Sequence, residues 1–272
     1  MDIHRPAAWW RSWAWYEQAL VGLSLALVLA LLLVAPGGWL DHTHSIGYAV
    51  CHQLPERTFF LGGKPLPLCA RCSGQYLMVT FVWVGLLLRR ARRPGRFPRR
   101  GISLILVAFF VLWAVDGLNS YLTFFPGMPH LYEPDNRLRA ITGGLMGLTL
   151  SAFFVPIFNW TLWSRWDDAA VIAKGRDLLI WLVILAAVVA AIDSEAGVLL
   201  YPAALLSALG VLILLTMVNA MILAILLRRD GAGQTLGDAL MLVIPGLAAA
   251  AVEIVILDVA RAGITRWLGL PF

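Results

Sequence analysis

Seven apolar runs, each near the twenty residues needed to cross a hydrocarbon layer of about 30 Å, divide this 272-residue chain. They fall at about 19–35, 73–88, 102–125, 139–158, 178–192, 198–227 and 236–257. Inside lipid every backbone N–H and C=O needs a partner from the chain itself, and an open strand edge has none, so the runs read as helices. The expected fold class is all-α, a polytopic transmembrane helical bundle of about seven spans. Composition agrees, with 60% hydrophobic and 14% charged residues where a soluble domain has about 45–50% and about 25%. A soluble globule is excluded. The sequence also has no phosphate-binding loop, esterase elbow, coiled-coil heptad or long internal repeat.

Short cytoplasmic loops of membrane proteins carry the excess of Lys and Arg. The loop after the second run reads RRARRPGRFPRR, with Arg89, Arg90, Arg92, Arg93, Arg96, Arg99 and Arg100, and is therefore assigned to the cytoplasm. Alternation from that loop leaves fourteen of the 21 Lys+Arg inside, with the N-terminus cytoplasmic and the C-terminus outside. Trp9, Trp10, Trp13 and Trp15, and Trp160, Trp163 and Trp166, then fall where an aromatic belt marks the inner interface. The net charge of +5 fits loops resting on an anionic membrane face, so the bilayer is the expected partner and nucleic acid is not. The expected location is the cell membrane, multi-pass. Residues 1–158 read as a four-span unit carrying an outer loop at 36–72, and 159–272 as a three-span scaffold that offers a surface for a membrane protein partner.

With this topology all three Cys and four of the five His lie outside. Most belong to one segment, DHTHSIGYAVCHQLPERTFFLGGKPLPLCARCSG, residues 41–74. A short helix from His44 to Gln53 would stack His44, Tyr48 and His52 beside Cys51. Pro55, Pro65, Pro67 and Gly62-Gly63 then predict an ordered turn that returns the chain to Cys69-Ala-Arg-Cys72. A Cys-x-x-Cys with a distant Cys-His pair makes Cys51, His52, Cys69 and Cys72 a metal-ligand set, with tetrahedral zinc the expected ion. Asp41-His42-Thr43-His44 ranks below it as a metal source. Two alternatives stay open. Extracytoplasmic thiols oxidise, so Cys51 could staple the loop to Cys69 or Cys72, although this leaves one Cys over. A Cys-x-x-Cys at a helix N-terminus, with Arg71 between the thiols, also suits a thiol–disulfide oxidoreductase coupled to membrane quinone.

CHQLPERTFF, then PLCARCSGQYL, then DGLNSYL in the third run and DNRLRAITGGLMG into the fourth, resemble a family of prokaryotic integral membrane proteins known as a domain of unknown function. The resemblance covers about residues 41–150. It implies a membrane protein marked at Cys51, His52, Pro55, Glu56, Arg57, Cys69, Arg71, Cys72, Gly74, Asp116, Gly117, Arg139, Thr142 and Gly143, and it implies no activity. Ser73 stands where that pattern more often has Thr.

A carboxylate near mid-membrane costs about 2.5–3.5 kcal/mol on insertion scales, so Asp116 in the third run needs a partner. Arg57, Arg71, Arg137 and Arg139 are the bases within reach, and an ion pair that merely clamps helices explains them as well as catalysis does. In the functional reading Glu56 and Asp116 are catalytic carboxylates beside the metal. Arg57, Arg71, Asn119, Asn136, Arg139 and Thr142 then line a cavity for an anionic or lipid-linked small molecule, because guanidinium forks suit phosphate and carboxylate. A metal with an open position could activate water there. If all four Cys/His ligands bind, none is open, and the site holds the loop rather than doing chemistry. Glu253, isolated in the last apolar run, reads as a helix-packing residue.

Overall fold

The computed structural model describes residues 14–34, 37–88, 93–125 and 127–268. Among them, seven helices are long and apolar enough to cross a membrane: α1 Trp15–Val34, α3 Ala70–Leu88, α4 Arg100–Leu122, α5 Asn136–Leu162, α6 Gly175–Asp193, α7 Leu200–Leu226 and α8 Leu236–Leu268. An eighth, α2 Trp39–Val50, is shorter and precedes the cysteine-containing loop. The all-α bundle expected from the apolar runs is therefore the fold. Trp9, Trp10 and Trp13, and with them Arg5, Arg11, Arg89, Arg90 and Arg92, lie outside the described residues.

The bundle is organised around α5, which is the most enclosed span. Its GlyGly-x-x-Gly stripe lets α3 approach backbone to backbone. A Cβ on Gly143 would overlap the carbonyl of Arg71, one on Gly147 that of Gln75, and one on Gly74 of α3 that of Ala140. Helices in lipid gain little from burying apolar surface, so close approach at small residues supplies the packing. α7 covers the far side of α3 with Gly210 against the Tyr76 carbonyl, and α8 seats Gly246 against Thr216 and Ala220 of α7. α1 and α4 sit at the periphery, with large apolar side chains such as Leu33, Leu104 and Leu118 facing outward.

Connecting segments meet in two separate sets, as alternating spans require. At one end Gly62 N–H donates to the Glu195 carbonyl (2.9 Å), Arg137 pairs with Asp193 (2.9 Å), and Arg57 reaches Thr123 (3.2 Å). At the other, strand β3 Pro94–Arg96 pairs in parallel with β4 Asp167–Ala170. There, too, Arg93 stacks 3.4 Å over the Trp163 ring, and Arg229 pairs with Glu17 of α1. The described part of the arginine-rich loop, from Arg93 to Arg100, and the cysteine loop thus occupy opposite ends.

Two sequence expectations need correction. The last span runs on to Leu268 rather than stopping near 257, and on this added length Arg261 donates to backbone carbonyls of the cysteine loop. The short loop helix spans Trp39–Val50, not His44–Gln53. Asp41 accepts the Gly38 N–H (2.7 Å) at its start, and Cys51 is already extended at φ −140°, ψ 144°. His52 therefore leaves the helix instead of stacking above His44 and Tyr48.

Candidate functional site

The loop after α2 folds back by a sequence of local constraints. Gln53 takes a left-handed conformation (φ 53°), and its amide nitrogen donates to the His44 carbonyl (2.9 Å) and the Pro67 carbonyl (2.7 Å). Pro55–Arg57 form one 3₁₀ turn, and β1 Phe60–Leu61 pairs antiparallel with β2 Lys64–Pro65 through Gly62 and Gly63, both at positive φ. Leu61, Leu66 and Leu68 anchor this excursion in the core, and Cys69 arrives at the start of α3.

Cys51, Cys69 and Cys72 meet there as free thiols, with their sulfurs all within 4.8 Å of one another. The Cys69 N–H donates to the Cys51 sulfur (3.2 Å). Cys51 and Cys69 are buried and Cys72 half-buried, against a wall formed with Leu68 and Val211. Hydrogen bonds from the Cys69 and Cys72 thiols pull the Cys51 pKa well down, and the same contact with Cys51 pushes Cys69 up. One sulfur is thus primed as thiolate. Three soft donors around one point suit a thiophilic ion, since tetrahedral zinc at about 2.3 Å from each sulfur needs sulfurs about 3.8 Å apart. Sulfurs all within 4.8 Å of one another are compatible with that spacing.

His52, expected as the fourth ligand, does not join the three sulfurs. Its Nδ1 accepts the Leu54 N–H (3.1 Å), a consequence of the helix ending at Val50. Of the lower-ranked metal source, Asp41 is used as a helix cap, and His42 sets its ring edge-on to Trp39 at 6.3 Å.

Behind the cysteines lies a polar cluster between α3, α4 and α5. Asp116, 1% exposed, accepts from Arg71 Nε (3.0 Å) and Nη2 (2.5 Å), from Thr142 Oγ1 (3.0 Å) and from Tyr132 OH (2.7 Å). Arg71 also donates to the Ser120 hydroxyl (2.9 Å). Desolvation, and then the bond to Asp116, raises the Tyr132 pKa to about 12, so the phenol keeps its proton and remains a donor. Asn119 is consumed by the loop that carries Tyr132, accepting from Leu131 N–H (2.6 Å) and donating to the Tyr132 carbonyl (2.9 Å). Arg139 donates to Asn136 Oδ1 (2.8 Å) and more weakly to Ser120 Oγ (3.4 Å). Arg57 bonds Thr123 and lies 3.7 Å over the Phe124 ring. Glu56 is exposed, and its backbone carbonyl accepts from Asn136 Nδ2 (3.3 Å).

The structure brings Arg57, Arg71, Asp116, Arg139 and Thr142 into one region together with Ser120, Thr123 and Tyr132, which sequence reasoning did not name. Ser120 had a signal, four residues beyond Asp116 on the same helical face. Tyr132 had none, because only the loop fold brings it back. Glu253 lies elsewhere, accepting from Asn219 of α7 (2.9 Å).

A family model described as "Predicted membrane protein (DUF2085)" matches residues 51–153. The uncharacterized protein MJ1492 of Methanocaldococcus jannaschii is 33% identical over 119 residues, covering 43% of this chain and 68% of the relative. The chain belongs to the DUF2085 family. An uncharacterized protein of Methanothermobacter thermautotrophicus is 29% identical over 103 residues, 38% of this chain and 81% of that protein. No solved structure matches. The segment matched to the DUF2085 model opens on Cys51 and takes in Cys69, Cys72, Arg71, Asp116 and Arg139, so the cysteine cluster and the polar cluster are parts of one family-matched unit.

Outside the DUF2085 match, Arg261 of α8 reaches across to the cysteine loop. Its guanidinium donates to the carbonyls of Tyr48 (2.6 Å) and His52 (3.0 Å) and to that of Cys51, and it stacks 3.9 Å over the Tyr48 ring. These carbonyls are orphans at the C-terminus of α2, where a cation is also favoured by the helix dipole. Sequence reasoning took the last spans as scaffold and did not single out this base, although an Arg following a long apolar run was a usable signal. Arg261 thus braces the backbone around Cys51. Arg261→Gln is expected to weaken the hold of the three sulfurs on a metal ion about tenfold or more, the range seen when groups orienting a metal ligand are removed. Competition with a chelator measures it. Unchanged affinity with a lowered unfolding temperature would assign Arg261 a packing role only.

Proposed function

We propose that this protein holds one thiophilic metal ion, zinc by donor preference, through Cys51, Cys69 and Cys72 on the extracytoplasmic side of the cell membrane, beside an arginine-lined recess that receives an anionic ligand, free or lipid-borne. The observation that carries this reading is the convergence of three free thiols from two chain segments within 4.8 Å. Their chemistry fits the ion: two buried sulfurs, one already favoured as thiolate, backed by apolar side chains. A bound metal would supply Lewis acidity to a ligand placed next to it.

This chain's own residues divide the remaining work. Asp116 has both oxygens occupied and positions Arg71. Glu56, next to Arg57 in the loop, is exposed to solvent. Residues 1–158 form the site-bearing unit, and 159–272 brace it through Arg261. The cytoplasmic assignment of the arginine-rich loop puts the cysteines outside, since the two occupy opposite ends of the bundle.

Elemental analysis of protein purified in mild detergent under reducing conditions is expected to give about one zinc per chain. A metal-free protein with a reducible bond between two of the cysteines would overturn the metal reading in favour of thiol–disulfide exchange.

A further inference from the structure

We propose that Arg57 and Arg139 together bind one phosphoryl group. This rests on the anionic ligand proposed above and names its class. Arg57 is 8% and Arg139 6% exposed. Among the described residues neither forms an ion pair, and their hydrogen-bond partners, Thr123, Asn136 and Ser120, are neutral. Asp116 is taken by Arg71, Thr142 and Tyr132. Glu56, exposed, favours the charge of Arg57 from a distance but pairs with neither base. Arg57 bonds Thr123, whose hydroxyl bonds the Ser120 carbonyl, Arg139 bonds the Ser120 hydroxyl, and Asn136 bonds the Glu56 carbonyl, so two like charges stand together in a poorly solvated region. Burial first, and the charge of Arg139 second, accordingly lower the Arg57 pKa. Buried charge of one sign is costly without a counter-ion.

The donors for one are present. Arg57 commits only Nη2, and Arg139 only Nε and Nη1, so Arg57 Nε and Nη1 and Arg139 Nη2 are uncommitted. None of these is among the partnerless side-chain nitrogens sealed from solvent, so the unclaimed N–H groups open onto accessible space.

Both carboxylate and phosphate match guanidinium forks. A carboxylate has two oxygens and a single charge, enough for one fork. Here two forks arrive from different elements, the Pro55–Arg57 turn and α5. A phosphomonoester, with three acceptor oxygens and about −1.5 to −2 charge near neutral pH, satisfies both forks. The same chemistry is offered by free phosphate and by a lipid headgroup ending in a monoester.

Calorimetric titration of the metal-loaded protein in detergent, with sodium phosphate, sodium acetate and dioctanoyl phosphatidic acid, tests this. One site per chain is expected for phosphate or phosphatidic acid, with acetate weaker by about tenfold or more, and Arg57→Gln or Arg139→Gln lowering affinity about tenfold or more. Tighter binding of phosphatidic acid than of phosphate assigns a lipid source, and the reverse a free one. Arg57→Lys and Arg139→Lys keep the charge but lose the fork, and are expected to weaken binding with metal content unchanged should the Gln variants not fold. Acetate binding as tightly as phosphate overturns the phosphoryl class but leaves an anion site standing. Undiminished binding in every variant overturns the location, and no binding of any probe to the wild type overturns the anionic ligand as well.

Discussion

Cys69→Ser is expected to take the protein from about one bound zinc per chain to a small fraction of that, with Cys51→Ser doing the same. Serine is close to cysteine in shape but replaces a soft sulfur donor by a hydroxyl that stays protonated and binds zinc poorly. Structural zinc sites are worth about 10–16 kcal/mol in small peptides, so the loss of one thiolate in three should cost several kcal/mol, a fall in affinity of at least about a thousandfold. Chelator competition followed by elemental analysis reads the change directly. His52→Ala serves as the companion measurement. Its imidazole stands apart from the sulfur group with Nδ1 engaged by the Leu54 N–H, so zinc content should remain near one per chain. Full zinc retention in Cys69→Ser would show that the sulfurs do not hold the ion.

Asp116→Asn should be the most destabilising single change in the polar cluster, by about 3–5 kcal/mol, because it strands the charge of Arg71 in a protein interior. The Asp116 side chain is 2% exposed and that of Arg71 16%, so water offers little compensation. An asparagine oxygen would still accept one bond, but without charge, while its NH₂ group would face one of the present donors, Arg71, Thr142 or the Tyr132 hydroxyl. Thermal unfolding in detergent should show the loss, and Tyr132→Phe should cost only about 1 kcal/mol as a single neutral donor is removed. The double variant Arg71→Met with Asp116→Leu removes both charges and should recover much of the stability. If Asp116→Asn is as stable as the parent, the carboxylate is not the counter-charge of Arg71.

Hydropathy located the spans because insertion into lipid depends on a local sum over about twenty residues, and no long-range contact can undo it. The ends of the helices were less legible. The last span was expected to stop near 257, yet the helix continues to Leu268 and Arg261 on that added length finds carbonyl partners in the cysteine loop. At α2 the reverse happened: local spacing favoured a helix through His52, and the Gln53 amide together with the Cys51–Cys69 contact ended it earlier. The same event separated His52 from the cysteines.

The order of residues along the chain determined by itself that this is a seven-span helical protein, that its three cysteines share one end, and that several arginines must seek partners near Asp116. Tertiary structure alone decided which arginine Asp116 receives, which two are left with neutral neighbours, and that a base from the last helix holds the cysteine loop. The reason is that membrane insertion is additive and local, whereas ion pairing depends on separations of a few ångströms. Those separations are set here by glycine-mediated contact between α3 and α5, where the Arg71 carbonyl rests directly on Gly143.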